Sequence, residues 1–155
     1  MATGSYKLEL RTTTVSAAIG DAYLELGALR DELDEIIDNA PDGLRSTARI
    51  QTMEETKDQL DRYADDEPSV PDACKDFVVT YHEQVPRRKR QSASRSVRCE
   101  NSCAMIRAVV QVVEEWRDED PARSEEVKDE IDTFIESANE AADECENLEF
   151  PAMFG

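Results

Sequence analysis

The sequence predicts an all-α protein, a single helical bundle of four to five helices. Three observations support this prediction. Apolar residues recur at steps of three and four along most of the chain, which is the spacing of one helix face. Charged residues make up 35% of the 155 residues, as is typical of helices with a narrow buried stripe and a wide solvated face. Glycine, which weakens helices, occurs only 5 times.

The chain is long enough for one domain with its own hydrophobic core. It contains no internal repeat and no linker long enough to divide it, so we expect residues 1–155 to form a single helical domain. Within that domain the composition distinguishes an extended N-terminal segment (1–13), a basic segment (86–98) and an apolar C-terminal tail (149–155).

The first half of the chain is expected to form a short strand and two helices. Residues 6–10 alternate between apolar and charged side chains, which indicates the strand. From Val15 a helical stripe replaces the alternation, and the turn residues NAPDG (39–43) end it. A second helix is predicted for residues 44–64. The residues expected to face inward on these helices are Ile19, Tyr23, Leu26, Leu29, Leu33, Ile36, Ile50, Met53, Leu60 and Tyr63.

Three further helices are expected in the second half. A short third helix is predicted for residues 74–81, and the fourth carries the apolar sequence AMIRAVVQVVEEW (104–116). Asp120 and Pro121 mark the start of the fifth helix as a cap followed by a proline in the first turn. Its apolar face over residues 127–148 is the clearest in the chain.

The C-terminal tail is too apolar to remain free in solvent. We expect Phe150, Met153 and Phe154 to dock on the bundle. Residues 8–10 and 148–150 both alternate, so a minor two-stranded pairing of the N- and C-terminal segments is also considered.

The basic segment is the most informative feature of a chain whose net charge is −18. Residues 71–110 hold eight basic and four acidic side chains, whereas residues 111–155 hold three and sixteen. Such asymmetry concerns partners and solubility more than fold. The candidate nucleic-acid or anion-binding residues are Arg87, Arg88, Lys89, Arg90, Arg95 and Arg98.

The position of this segment before the fourth helix suggests how its arginines are arranged. If that helix runs back unbroken from Trp116, then Arg87, Arg88, Arg95 and Arg98 fall within an arc of about 100° that continues the apolar face. Burying unpaired arginines is prohibitive. Either the helix projects beyond the bundle, or this face meets carboxylates or a ligand.

Two interpretations of the basic segment therefore stay open. In the first it is a solvated loop or helix end, neutralised by acidic neighbours such as Glu136 and Glu140. In the second it is an anion-contacting surface, because the planar guanidinium suits phosphate. The acidic remainder of the chain would repel nucleic acid, and no aromatic residue is interleaved for base stacking.

The residues that could carry chemistry are few. Cys74, Cys99, Cys103 and Cys145 could form a zinc site with His82, but the chain has no CxxC pair, and we interpret the cysteines as packing residues. Nucleotide-binding and nucleophile motifs are absent from the sequence. We predict no enzyme activity, no catalytic residue, no cofactor and no metal.

The sequence also predicts where the protein is found. MATGSYKLEL is not a secretory signal, and no run approaches the roughly 18 apolar residues that span a bilayer. We expect a soluble cytoplasmic protein with reduced cysteines and no membrane contact.

Three stretches resemble segments of small acidic helical proteins of unassigned function encoded by tailed bacteriophages. They are RRKRQSASRSVRCENSCAMI (87–106), ECENLEFPAMFG (144–155) and the first helix. The resemblance implies a viral origin, expression in the host cytoplasm and a helical fold. Because no activity is assigned to such proteins, it transfers no site residue.

The function we expect is that of a non-enzymatic accessory protein that contacts nucleic acid or another polyanion through an arginine-rich helix end. One alternative is an acidic decoy that mimics DNA and occupies a host DNA-binding protein. Another is a structural or assembly protein whose helical stripes pair with further copies. A protein partner and homo-oligomers are therefore considered alongside nucleic acid. The acidity would also suit a high-salt cytoplasm.

Overall fold

Four long helices pack together with a two-stranded antiparallel sheet in the computed structural model, which describes residues 4–151. The predicted helical fold is confirmed. None of the helices in that range combines the length and apolarity needed to cross a bilayer. In chain order the elements are β1 (Tyr6–Thr14), α1 (Val15–Asn39), α2 (Ala48–Ala64), β2 (Val78–Pro86), α3 (Arg95–Glu119), the single turn α4 (Pro121–Ser124) and α5 (Lys128–Cys145).

The first long helix, α1, packs against two of the other long helices. It begins at Val15 because the hydroxyl of Thr14 accepts a hydrogen bond from the backbone N–H of Ala17. α1 packs against α2 and α3, and α5 packs on α3. The largest fully buried side chains come from all four long helices and include Ile19, Leu26, Leu29, Leu33, Met53, Leu60, Ile106, Val109, Ile131 and Phe134.

The second and fifth helices begin later than predicted. Residues Asp42–Leu44 form a separate 3-10 turn, and the hydroxyl of Thr47 then caps α2 by accepting from the backbone N–H of Ile50. Pro121 starts a helical turn, as predicted, but a 3-10 turn at Glu125–Val127 separates it from α5. Both helices still bury their predicted stripes against α1 and α3.

The predicted third helix is wrong, because the chain forms β2 there. Residues 78–81, Val-Val-Thr-Tyr, are β-branched or aromatic and favour a strand. Val79 is fully buried whereas Val78 is 65% exposed, which is the alternation of a strand that is covered on one face. Pairing with β1 along its whole length satisfies the backbone groups that the two strands turn towards each other.

The predicted pairing of residues 8–10 with residues 148–150 is also wrong. β1 pairs with β2, from Tyr6 opposite Pro86 to Thr14 opposite Val78. A nine-residue partner satisfies far more backbone groups than a three-residue one, so β2 is the better mate for β1.

The C-terminal segment docks on α2 without forming a strand. The hydroxyl of Thr56 donates a 2.6 Å hydrogen bond to the carbonyl of Glu149, and the half-buried Phe150 packs against the core. Of the tail residues expected to dock, Met153 and Phe154 lie outside the described residues.

All four cysteines are buried free thiols, which agrees with their interpretation as packing residues. Burial raises the pKa of Cys74 to about 11 and that of Cys145 to about 12. The pKa of Cys99 is raised by its hydrogen bond with Cys103 and by burial. Across residues 4–151, no group of three or more His, Cys, Asp or Glu side chains is placed to hold a metal ion.

We predict that these thiols resist alkylation until the protein opens. The reactive species is the thiolate; burial shields all four sulfurs from the reagent, and the raised pKa values of Cys74, Cys99 and Cys145 keep their thiolate populations small at pH 8. Iodoacetamide labelling followed by mass spectrometry should show slow modification in buffer and rapid modification of all four cysteines in denaturant. Fast labelling of any cysteine in the native protein would contradict this packing.

Candidate anion-contact site in the basic segment

The basic segment is a loop followed by the first turn of α3, not a continuous helix. α3 begins at Arg95, where the hydroxyl of Ser94 accepts a 3.2 Å hydrogen bond from the backbone N–H of Val97. The backbone N–H of Ser94 itself donates to the hydroxyl of Tyr6, at 3.0 Å. These bonds fix the helix start, so residues 87–94 form a connection that we call the basic loop.

The predicted helical arc of four arginines is therefore wrong for Arg87 and Arg88, which lie before the helix. Strand pairing extends to Arg87, whose backbone N–H donates to the carbonyl of Ser5 at 3.0 Å. Its Nε also donates to the carbonyl of Tyr6, at 3.2 Å. Because α3 starts at Arg95 and β2 ends at Pro86, no helix runs back through Arg87.

The other two arginines of the arc, Arg95 and Arg98, point into the protein and pair with carboxylates of α1. Arg98 donates from two nitrogens to the two oxygens of Glu32, at 2.9 and 2.7 Å, and from Nε to Glu25, at 2.9 Å. Arg95 Nε donates to Glu32 at 3.1 Å. We call these four residues the arginine–glutamate cluster.

The partners of Arg95 and Arg98 differ from those expected. The sequence suggested Glu136 and Glu140 as neutralising residues, but the structure places α1, not α5, beside the first turn of α3. Of the predicted alternatives for this face, contact with carboxylates is the one observed.

The cluster is partly shielded from water. The side chain of Arg98 is 25% exposed and that of Glu32 is 34% exposed. Hydrogen bonds from Arg98 lower the pKa of Glu32, and hydrogen bonds to Glu32 raise the pKa of Arg98. Two-pronged arginine–carboxylate pairs of this kind are among the stronger polar contacts in proteins. The side chains of Arg95 and Arg98 thus hold α3 against α1.

The tip of the basic loop has the opposite character. Arg88, Lys89 and Arg90 are exposed, and among the residues that the structure describes their side chains form no ion pair or hydrogen bond. The backbone N–H of Gln91 donates to the carbonyl of Arg88 at 3.1 Å, which closes a turn around them. We call these three residues the loop tip.

The loop tip brings three positive charges together in the connection that precedes α3. Arg87, tethered through Nε, keeps its charge at the base of the loop. This arrangement suits contact with an anionic group in solvent, with no substrate pocket required.

No protein-family model, no curated protein and no solved structure matches this chain. The site is therefore defined by contacts within the chain alone. The origin in a tailed bacteriophage, which the resemblance implied, stays a prediction.

We predict that Arg98→Ala lowers the free energy of unfolding by about 1–3 kcal/mol, because it leaves the partly buried carboxylate of Glu25 without a donor and that of Glu32 with Arg95 alone. Arg88→Ala, the matched control at the loop tip, should change it by less than about 0.5 kcal/mol. Urea unfolding followed by circular dichroism gives both values. In a double-mutant cycle, Glu32→Gln should cost much less in the Arg98→Ala background. Equal stability of Arg98→Ala and the unsubstituted protein would contradict the structural role of Arg98.

Proposed function

We propose that this chain is a non-enzymatic accessory protein that contacts nucleic acid, or another polyanion, through the loop tip. The observation that supports the proposal is the division of the basic segment. Two of its arginines are neutralised by α1, whereas Arg88, Lys89 and Arg90 remain exposed without a carboxylate partner among residues 4–151. The contact surface is therefore smaller than the six residues that the sequence suggested.

The loop tip is suited to phosphate and not to bases. Lysine and arginine side chains neutralise phosphates and release condensed counterions, which favours binding at low salt. Contacts to the phosphate backbone carry no direct sequence information. We therefore propose binding that is largely independent of sequence.

The acidity of the remaining surface limits how such a ligand approaches. With a net charge of −18, the protein repels a polyanion that lies along its length. Salt screens this repulsion over about 10 Å at 0.1 M ionic strength. The proposal therefore favours a short or protruding anionic segment that touches the loop alone, with modest affinity.

The acidic decoy remains a second candidate because of the outer face of α5. Glu136, Glu140 and Glu144 are exposed, and they form no ion pair within the described part of the chain. At four-residue spacing they succeed one another by about 6 Å along the helix. A decoy would bind a DNA-binding protein through this row and would not need the loop tip.

We predict that replacing Arg88, Lys89 and Arg90 together by Ala weakens binding to a fluorescent single-stranded oligonucleotide at low salt. The slope of log affinity against log salt should flatten by about 2, since each lost phosphate contact contributes about 0.7–0.9. Fluorescence anisotropy across a salt series measures both effects. The melting temperature should change little, because these side chains have no partner in residues 4–151.

The matched control is the triple variant Arg62→Ala, Lys75→Ala and Lys128→Ala. It removes the same three charges from exposed positions outside the basic segment and should leave the salt slope nearly unchanged. Equal effects of the two triple variants would show that net charge, not the loop tip, governs binding. Absence of binding even at low salt would overturn the proposal. Loss of a protein partner on charge reversal of Glu136, Glu140 and Glu144 would favour the decoy.

A further inference from the structure

The two edges of the sheet differ: a side chain of α3 bonds one residue of the β2 edge, whereas the β1 edge, which we call the open edge, has no further strand beside it within residues 4–151. On the outer side of β2, the side chain of Asn101 in α3 accepts from the backbone N–H of Gln84 at 2.9 Å and donates to its carbonyl at 3.1 Å. Asn101 thus takes the place of a neighbouring strand. On the other side, β1 is the outermost strand, and within residues 4–151 no further strand pairs with it.

The hydrogen bonds between the two strands show which backbone N–H and C=O groups of β1 do not bond β2. Just beyond the two ends of β1, backbone hydrogen bonds join it to the residues that flank β2. Ser5 accepts from Arg87, and Val15 donates to the carbonyl of Phe77. Because hydrogen-bonded and non-bonded pairs alternate in an antiparallel ladder, the odd-numbered residues between them face β2 and the even-numbered residues face outward. Asn101 confirms this parity, since it bonds Gln84, the partner of Leu8, from the outside.

The open edge is also apolar at its side chains. Leu8 is 51% exposed and Leu10 is 63% exposed, and Thr12 follows them on the same face. Large apolar side chains beside unpaired N–H and C=O groups are what another strand can cover. Charged residues on the opposite face, Lys7, Glu9 and Arg11, alternate in sign.

We infer that a second copy of this chain pairs with the open edge, so that two β1 strands run antiparallel and the two-stranded sheets of both copies form one four-stranded sheet. Leu10 lies opposite Leu10 of the second copy on the twofold axis. Leu8 of each copy then lies opposite Thr12 of the other, and both pairs exchange backbone hydrogen bonds.

Charge complementarity favours this register over the symmetric ones that place Glu9 or Leu8 on the axis. With Leu10 on the axis, Glu9 of each copy faces Arg11 of the other, which gives two opposite-charge pairs. With Glu9 on the axis, Glu9 faces Glu9 and Lys7 faces Arg11, so like charges meet. With Leu8 on the axis, Tyr6 would have to exchange backbone hydrogen bonds with Leu10 of the second copy. Its carbonyl already accepts from Arg87.

The ion pairs that Glu9 forms with Lys7 and Arg11 within one chain do not oppose the pairing between copies. Glu9 accepts from Lys7 at 3.1 Å and from Arg11 at 2.7 Å along the same strand. Half of the Lys7 and Arg11 side chains is exposed, and exposed ion pairs contribute little. They can be exchanged for cross-strand pairs, while the same lysine and arginine disfavour pairing with unrelated strands.

A charge exchange between two variants tests the interface and its register. The unsubstituted protein should rise in mass with concentration towards twice its 17.5 kDa in sedimentation equilibrium. Glu9→Arg alone and Arg11→Glu alone should each stay monomeric, because like charges meet twice in either homodimer. An equimolar mixture of the two should associate again. An unsubstituted protein that is monomeric at every attainable concentration, or a mixture that stays monomeric, overturns the proposal.

Disulfide trapping gives an independent readout, which is needed because Arg11 also contacts Glu83 within one chain. The native cysteines are buried, so an added surface cysteine is the reactive one. Leu10→Cys should form a covalent dimer on mild oxidation, since residues opposite each other in a hydrogen-bonded pair have Cα atoms about 5.5 Å apart. Leu24→Cys, at a residue that is 74% exposed on α1, is the control for random collision. Equal yields from the two variants would overturn the proposal.

Trapping with other positions tests the register itself. Leu8→Cys and Thr12→Cys should each crosslink poorly alone and efficiently when mixed. Efficient crosslinking of Leu8→Cys alone would place a different residue on the axis and overturn the register. If an extended peptide binds the β1 edge and no dimer forms, the edge serves another partner and the pairing between copies is overturned.

Discussion

The arginine–glutamate cluster is the interaction on which the arrangement of the basic segment depends. Arg98 holds the first turns of α3 against α1 through Glu25 and Glu32. Three residues further along α3, the side chain of Asn101 bonds the backbone of Gln84 at the outer edge of β2. β2 in turn pairs with β1. Tyr6 of β1 returns to the start of α3 through its bond with Ser94, so the basic loop is held at both ends.

These linked contacts between α1, α3, β2 and β1 explain why basic residues close in sequence have different roles. An arginine at a helix–helix boundary is stable only if a carboxylate meets it, because an unpaired charge there would lose its hydration. At the loop tip, Arg88, Lys89 and Arg90 keep their hydration and can exchange it for phosphate. The same contacts place α3 beside the β2 edge of the sheet. Within residues 4–151 they leave the β1 edge without a neighbouring strand, which is the basis of the inferred pairing between copies.

Local sequence signals predicted the parts of the fold that depend on local contacts. The stripe that starts at Val15 and the Asp120–Pro121 turn were predictable because apolar spacing and capping act within a few residues. β2 was missed because the apolar residues of positions 74–81 fit a helical spacing as well as a strand over so short a run. Its pairing with β1 joins segments about seventy residues apart, which no local pattern specifies.

The site was predicted in part for the same reason. Composition located the cluster of positive charge, but helical periodicity cannot show where a helix begins, so Arg87 and Arg88 were placed on α3. The roles of Arg95 and Arg98 depend on which helix lies beside them. One signal was available: Glu25 and Glu32 are seven residues apart on one face of α1, opposite a basic pair on one face of α3.

Arginine footprinting tests the division of the basic segment most directly. Phenylglyoxal treatment followed by peptide mass spectrometry should modify Arg88 and Arg90 rapidly and Arg98 slowly, since Arg98 is held by two carboxylates. A short oligonucleotide at low salt should protect Arg88 and Arg90 and leave Arg98 unchanged. Modification of Arg98 as fast as Arg88, or protection of neither loop-tip arginine by the oligonucleotide, would contradict the division into a structural and a contacting half.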